Sequence, residues 1–86
     1  MRVDKFLKVS RIVKRRPVAK SMGDKGRIEI NGTVAKAGSP VAVGDTVTVH
    51  FGNRRITVRV QELKETTKKA GAENMYDIIA EEKIEN

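Results

Sequence analysis

The chain has 86 residues and no cysteine, so it must fold around one small hydrophobic core without disulfide bonds. A domain of this size buries only about 60% of the surface that its unfolded chain exposes. The missing cysteines also exclude zinc knuckles and thiol nucleophiles, and they suit a reducing cytosol. No apolar run reaches the length of a signal peptide or a membrane span. We therefore expect one cytoplasmic domain without membrane contact.

Positive charge is concentrated at the N-terminus. The whole chain carries 18 Lys and Arg against 11 Asp and Glu, which gives a net charge of +7 and a pI near 10.1. Residues 1–27 hold ten basic residues against two acidic ones, or +8, whereas residues 28–61 hold +2 and residues 62–86 hold −3. Such a local excess predicts a polyanionic partner. The alternative is a solvated basic face without a partner, for which we would expect the positive charge to be spread evenly along the chain.

Two short helices are predicted in this basic segment. The first has an apolar face formed by Val3, Phe6 and Leu7, and Asp4 lies near its positive N-terminal end. Its basic residues project from the other faces: Lys5, Lys8 and Arg11.

The second helix is predicted to begin at Pro17, which suits a first helical position, and to end before Gly26, which suits a left-handed cap. Its inward residues would be Val18, Ala19 and Met22.

A cluster of three cations, Lys14, Arg15 and Arg16, precedes this second helix. Arg16 stands before a proline and is therefore expected to be extended. Cations at a helix N-terminus oppose the helix dipole, but they become favourable when a phosphate binds among them and the free backbone N–H groups. The cluster predicts an anion site, with an ordinary exposed loop as the alternative.

After Gly26 apolar and polar residues alternate, with Ile28 and Ile30 separated by Glu29, and this pattern predicts short strands. Asn31-Gly32 is a turn signal, and the clearest hairpin runs from Thr46 to Val60 around Gly52-Asn53. In that register Val47 faces Val58 and Val49 faces Ile56 on the buried side, while Thr48 meets Thr57 outside.

The outer face of this hairpin also carries polar residues. His50 has no acidic or hydroxyl partner spaced for a proton relay, so we interpret it as a plain surface residue. Arg54, Arg55 and Arg59 are secondary candidates for RNA contact, and a purely solubilising role is equally compatible with the sequence.

The C-terminal segment is ambiguous. Residues 68–74 are compatible with a short helix, and residues 75–79 with a helix or a strand. We expect Tyr76, Ile78 and Ile79 to cover the sheet. The acidic residues Glu81, Glu82 and Glu85 are expected to form a solvated tail, with an acidic protein contact as the alternative.

Several landmarks in order resemble the S-four RNA-binding domain, a family named after a small-subunit ribosomal protein. They are Arg2-Val3-Asp4-Lys5-Phe6-Leu7, the basic segment 16–25, Gly26-Arg27-Ile28-Glu29-Ile30, Asn31-Gly32 and Gly44-Asp45-Thr46-Val47. The resemblance implies an α+β class with the alpha-L fold, in which two N-terminal helices pack on a short antiparallel sheet. It covers residues 1–60, and we expect residues 61–86 to be an extension packed on the same domain.

Beyond that domain the chain resembles the stand-alone bacterial group that includes heat shock protein fifteen and, more closely, the RqcP-like proteins of ribosome-associated quality control. Residues 63–69 and Asn74-Met75-Tyr76 carry the closer resemblance. It implies binding to obstructed large ribosomal subunits through rRNA and peptidyl-tRNA, beside an RqcH-type factor that adds alanine to the stalled chain. A monomer is expected off the ribosome. Rescue of subunits with stranded peptidyl-tRNA, as for heat shock protein fifteen, is the alternative.

The family pattern also assigns RNA contacts to this chain. The implied positions are basic residues of the N-terminal segment, with one turn at their edge: Arg2, Lys5, Lys8, Arg11, Arg15, Arg16, Lys20, Arg27, Asn31 and Gly32.

The composition favours structured RNA, because only Phe6, Phe51 and Tyr76 are aromatic and the first two are patterned as core. Phosphate and shape recognition should dominate, with arginine giving bidentate contacts. No phosphate loop, metal-ligand cluster or nucleophile–base pair is visible in the sequence, so we expect a binding protein without a cofactor rather than an RNA-modifying enzyme. A non-specific nucleic-acid-binding protein is a further alternative.

Overall fold

The computed structural model describes residues 1–64 and 73–83. The chain forms its helices first and its strands afterwards: α1 (Val3–Val9), α2 (Arg16–Asp24), β1 (Ile28–Ile30), β2 (Thr33–Val34), β3 (Thr46–Phe51), β4 (Arg54–Val60), a 3-10 turn (Glu73–Met75) and β5 (Tyr76–Lys83). The strands form one antiparallel sheet in the order β2-β1-β3-β4-β5. These elements confirm the predicted α+β fold. No helix within residues 1–64 and 73–83 is long and apolar enough to span a membrane.

Helix α1 supplies the centre of the core, as predicted. Val3, Phe6 and Leu7 are fully buried and pack in one cluster with residues of α2 and the sheet. The helix ends at Val9, and Arg11 then adopts a positive φ of 64°. A left-handed residue after a helix is usually glycine, because a Cβ atom is strained there.

Helix α2 begins at Arg16, one residue earlier than predicted, and the extended residue is Arg15 with φ −133° and ψ 138°. Arg16 is therefore helical although it precedes Pro17, a position where steric contacts normally favour an extended backbone. The Arg15 carbonyl accepts hydrogen bonds from the N–H groups of Val18 and Ala19, at 3.1 and 3.3 Å. The predicted end is confirmed, because the helix stops at Asp24 and Gly26 has φ 71°.

The buried face of α2 differs from the prediction at one residue. Ala19 is buried and Met22 is half-buried, but Val18 is 47% exposed, so its assignment to the core was wrong. Gly23 takes the inward position, because α2 lies so close to Ala37 that a Cβ on Gly23 would be 2.5 Å from the Ala37 backbone nitrogen. Ala19 and Gly23, which lie one turn apart, therefore form the face of α2 that packs on the rest of the protein.

Both predicted hairpins are present. Asn31 and Gly32 have φ values of 52° and 82°, as the tight turn between β1 and β2 requires. In the β3–β4 hairpin, Val47 pairs with Val58 and Val49 with Ile56. Thr48 pairs with Thr57, and their hydroxyl oxygens are 3.0 Å apart.

In the ambiguous segment at residues 75–79, Met75 ends the 3-10 turn and the other residues lie in strand β5. This strand pairs with β4 through a register shift between Thr57 and Val58. Tyr76 is half-buried, but Ile78 and Ile79 are 56% and 48% exposed, so the prediction that they cover the sheet was wrong. Met75 is fully buried instead. The strand is the last of the sheet and has a neighbour on one side only, which leaves its apolar side chains partly in solvent.

Two of the three residues predicted as a solvated acidic tail, Glu81 and Glu82, are exposed as predicted, but they belong to a strand and not to a tail. Glu81 and Glu82 lie in β5 and form ion pairs with Arg54 and Arg55 of β4. The third residue, Glu85, lies outside the described residues. Of the possible helix at residues 68–74, residues 68–72 also lie outside them, and residues 73 and 74 begin the 3-10 turn.

Candidate RNA interface

Asp4 joins the two helices at the centre of the basic segment. Its side chain is 3% exposed, yet it contacts two arginine side chains that are about half exposed. Arg2 Nη2 lies 3.3 Å from Asp4 Oδ2, and Arg16 Nε lies 3.4 Å from the same oxygen. The backbone N–H of Lys5 donates to Asp4 Oδ1 at 2.8 Å. The buried acid therefore has its hydrogen-bonding partners, which offsets the cost of removing a charge from water.

This arrangement fixes the directions of two guanidinium groups. Arg2 and Arg16 each use only some of their five N–H donors to contact Asp4. Both side chains are about half exposed, so their other donors remain accessible to a ligand. The three side chains together keep one net positive charge. A planar guanidinium held in place loses less entropy when it binds a phosphate than a free side chain does. The arrangement is suited to bidentate phosphate contacts.

The start of α2 offers fewer backbone donors than the sequence suggested. Pro17 has no N–H group, and the N–H groups of Val18 and Ala19 already donate to the Arg15 carbonyl. Anion binding here must therefore depend chiefly on side chains. Lys14, Arg15 and Arg16 are all exposed and available for that purpose.

The structure places the other predicted basic contacts at the surface of the same segment. Lys5 is half-buried, and the remaining ones are exposed: Lys8, Arg11, Lys20 and Arg27. The side chains of Arg2 and Arg16 contact a shared partner, the Asp4 carboxylate.

Asn31 has a structural task in its turn. Its side-chain oxygen accepts hydrogen bonds from the Thr46 N–H at 2.9 Å and the Thr46 hydroxyl at 3.2 Å. Its Nδ2 donates to Asp45 Oδ1 at 3.2 Å. These bonds tie the β1–β2 turn to the start of β3. Gly32 is exposed beside it, and the RNA contact of this turn stays a prediction.

The secondary arginine candidates differ in their surroundings. Arg54 pairs with Glu81 at 3.3 Å and lies 5.5 Å from the centroid of the Phe51 ring. Arg55 pairs with Glu82. Arg59 is exposed and forms no ion pair with any residue in the described ranges. The charges of the first two are therefore largely compensated within the protein.

His50 has an acidic partner that the sequence analysis missed. Its Nε2 lies 2.6 Å from Glu29 Oε2, so the interpretation of an isolated histidine was wrong. The contact depends on β1 pairing with β3, which places Glu29 opposite Thr48 and beside His50. The alternation of both strands was visible in the sequence, but their pairing was not.

Comparisons with a protein family, with curated relatives and with a solved structure agree with one another. The S4 domain family matches residues 1–47. The RQC P-site tRNA stabilizing factor of Bacillus subtilis is 61% identical over 84 residues, 98% of each chain, and that of Streptococcus pneumoniae is 53% identical over 99% of this chain and 97% of its own. The solved structure of Vibrio cholerae heat shock protein 15 superimposes with a TM-score of 0.85 at 27% identity, covering 93% of this chain and 82% of the other.

Proposed function

The chain belongs to the S4 domain family and to the group of RQC P-site tRNA stabilizing factors, and from this premise we propose that it binds tRNA on the large ribosomal subunit. The name of those relatives states their ligand, tRNA, and their ribosomal site, the P site. For this chain, the same ligand suits a surface that carries +8 in residues 1–27.

The observation that carries the proposal is the pair of arginines on Asp4. A basic surface alone would attract any polyanion, but Arg2 and Arg16 are held by one buried carboxylate in fixed relative positions. Fixed donors select a particular arrangement of phosphates, as folded RNA provides. The structure of this surface thus favours recognition of RNA shape over non-specific binding.

The proposed interface includes the basic residues around this pair, of which all but the half-buried Lys5 are exposed, and the turn at its edge. Its members are Arg2, Lys5, Lys8, Arg11, Lys14, Arg15, Arg16, Lys20, Arg27, Asn31 and Gly32. In this proposal residues 1–60 form the RNA-binding domain, and residues 61–86 are an extension whose strand β5 pairs with β4.

At a finer level, the protein holds peptidyl-tRNA on a large subunit that a stalled chain obstructs, and an RqcH-type factor extends that chain with alanine. Its contribution is binding, not catalysis: it keeps the tRNA in place between additions, in the cytoplasm, as a monomer when off the ribosome. The identity of 61% with a factor of ribosome-associated quality control supports this reading.

A second candidate is rescue of subunits with stranded peptidyl-tRNA, and the structural match to heat shock protein 15 favours it. Deletion of the gene separates the two roles. Loss of alanine tails on a stalled reporter supports the first role. Unchanged tails together with an accumulation of large subunits that carry peptidyl-tRNA support the second.

Crosslinking in cells, followed by sequencing of the attached RNA, tests the proposal directly. We expect reads from tRNA and from large-subunit rRNA, and their loss in an Arg2→Ala/Arg16→Ala double variant. An Arg59→Ala variant serves as the control, because it removes an exposed arginine outside the proposed interface. Reads spread evenly over messenger RNA would reject a ribosomal role.

A further inference from the structure

An open cleft of about 440 Å³ lies between α2 and the tip of the β3–β4 hairpin. Its volume falls in the range of small-ligand sites. One wall comes from α2, and the other comes from the end of β3 and the residues before β1. The lining residues that matter here are Pro17, Val18, Met22, Lys25, Arg27 and Phe51.

The walls of the cleft are apolar. Val18 is 47% exposed, and Met22 and Phe51 are half-buried. The fold does not need Val18 at this position, because α2 packs on the core through Ala19 and Gly23. The Arg54 guanidinium lies 5.5 Å from the Phe51 ring centroid and makes a cation–π contact with it. A flat apolar group that packs on Phe51 would therefore extend the stack that Arg54 and Phe51 already form.

The rim of the cleft is cationic. Lys25 and Arg27 line it, both are exposed, and neither forms an ion pair with another described residue. No acidic residue is among the lining residues of the described chain. The cleft thus combines apolar walls with two uncompensated positive charges, which complements a group that has a flat apolar part and an anionic part.

We propose that this cleft binds one unpaired nucleotide of the RNA. The base lies against Val18, Met22 and Phe51, and the phosphate lies between Lys25 and Arg27. This inference rests on the proposed function, because Arg27 and the start of α2 belong to the proposed interface and make the cleft continuous with it. Aromatic and apolar walls accept any base, since every base has a π face.

The nucleotide site changes one expectation from the sequence. Phe51 was patterned as core, and base stacking was therefore discounted. Phe51 closes β3 beside the hairpin turn, where it is only half-buried. An unpaired base next to a structured region is the usual target of base-directed RNA recognition.

Mononucleotide titrations of the full chain, followed by amide chemical shifts, test the site. Adenosine 5′-monophosphate, at millimolar concentration, should shift the amides of Val18, Met22 and Gly52 as well as those of Lys25 and Arg27. Ribose 5-phosphate lacks the base and should shift only the latter two. The same shifts from both compounds, or adenosine 5′-monophosphate shifts confined to other surfaces, would overturn the proposal.

A pair of matched variants tests the site on the intact RNA partner. Val18→Asn removes an exposed apolar side chain from the cleft, and Val43→Asn removes one from a turn elsewhere, where Val43 is 61% exposed. Affinity for large subunits that carry peptidyl-tRNA should fall about fivefold for Val18→Asn and less than twofold for Val43→Asn. Equal affinities of the two variants would overturn the nucleotide site.

Two further outcomes separate this inference from the proposed function. If Arg16→Ala leaves subunit affinity unchanged, the proposed function fails, whereas the mononucleotide shifts still report on the cleft. If Val18→Asn weakens subunit binding while adenosine 5′-monophosphate causes no shift, the cleft contacts a protein instead and the nucleotide site is rejected. Thermal unfolding confirms that each variant is folded, and the titration of the unaltered chain needs no variant.

Discussion

Asp4 gives the basic surface its geometry. A carboxylate on a side chain that is 3% exposed, inside a segment with +8 charge, would be a poor choice if charge alone attracted the RNA, since it cancels part of that charge. Its contacts with Arg2 and Arg16 explain its presence, because they convert two long flexible side chains into oriented donors. In the proposed function, the positions of these charges therefore contribute to RNA recognition in addition to their number.

This reasoning predicts the effect of Asp4→Asn. The change adds one unit of positive charge, but it removes the anion shared by two guanidinium groups. Stability should fall by about 1–2 kcal/mol, less than for a fully buried pair, because both arginines are half exposed. Affinity for tRNA-bearing subunits should also fall.

The measurement is thermal unfolding together with a subunit sedimentation assay. Asp24→Asn is the matched control, because Asp24 is exposed at the end of α2 and forms no ion pair with a described residue. If Asp4→Asn bound more tightly, as charge counting alone requires, the positioning role would be wrong.

The close approach of α2 to the chain at Ala37 decides how this helix packs. Gly23 sits in the helix interior, where alanine would normally be favoured by about 1 kcal/mol. Here a Cβ atom would come within 2.5 Å of the Ala37 backbone nitrogen. The Ala37 backbone cannot move as easily as a side chain, so the steric clash of an added Cβ outweighs the gain in helix propensity.

Gly23→Ala should therefore destabilise the protein, by about 1–3 kcal/mol, against the sign of helix propensity. A domain of this size would lose roughly 4–8 °C in Tm for each kcal/mol. Gly38→Ala is the comparison, because its Cβ would meet the Arg2 side chain at an ordinary 3.6 Å. Calorimetry on both variants checks the prediction, and equal Tm values would contradict it.

The elements also show which features of the fold the sequence could predict. The β3–β4 hairpin was predicted in its correct register, because turn chemistry and alternation are both local signals. Val18 and Ile78 were wrongly predicted to face inward, because their exposure is decided by contacts between distant parts of the chain. For Val18 the deciding contact is the approach of Gly23 to Ala37. For Ile78 it is the position of β5 at the edge of the sheet. The Arg16–Asp4 contact spans 12 residues and left no local signal.

The whole molecule carries its excess positive charge in residues 1–27, at +8, and the exposed side of this segment is the proposed RNA interface. If about six phosphates are neutralised by this side, the logarithm of affinity should fall with the logarithm of salt concentration at a slope of roughly −4 to −5. Arg16→Ala should weaken binding and make the slope less steep by about 1. Arg59→Ala should change neither, although it removes the same charge.

Sedimentation with large subunits over a range of salt concentrations measures these slopes. Duplex DNA added as a competitor should displace little protein at moderate salt, because the fixed arginines favour RNA shape. A slope near zero, or equal losses for the two variants, would show that the interface is wrongly placed.

The two ion pairs between β4 and β5, Arg54 with Glu81 and Arg55 with Glu82, have a kinetic consequence. They neutralise two arginines at this end of the sheet, so that in the proposed function the attraction of the ribosome acts chiefly on residues 1–27. During diffusion the molecule is turned toward its target before it arrives, and fewer encounters are wasted on wrong orientations. In the proposed function, a small protein that searches for stalled subunits among working ribosomes would reach them faster because these two arginines are neutralised within the protein.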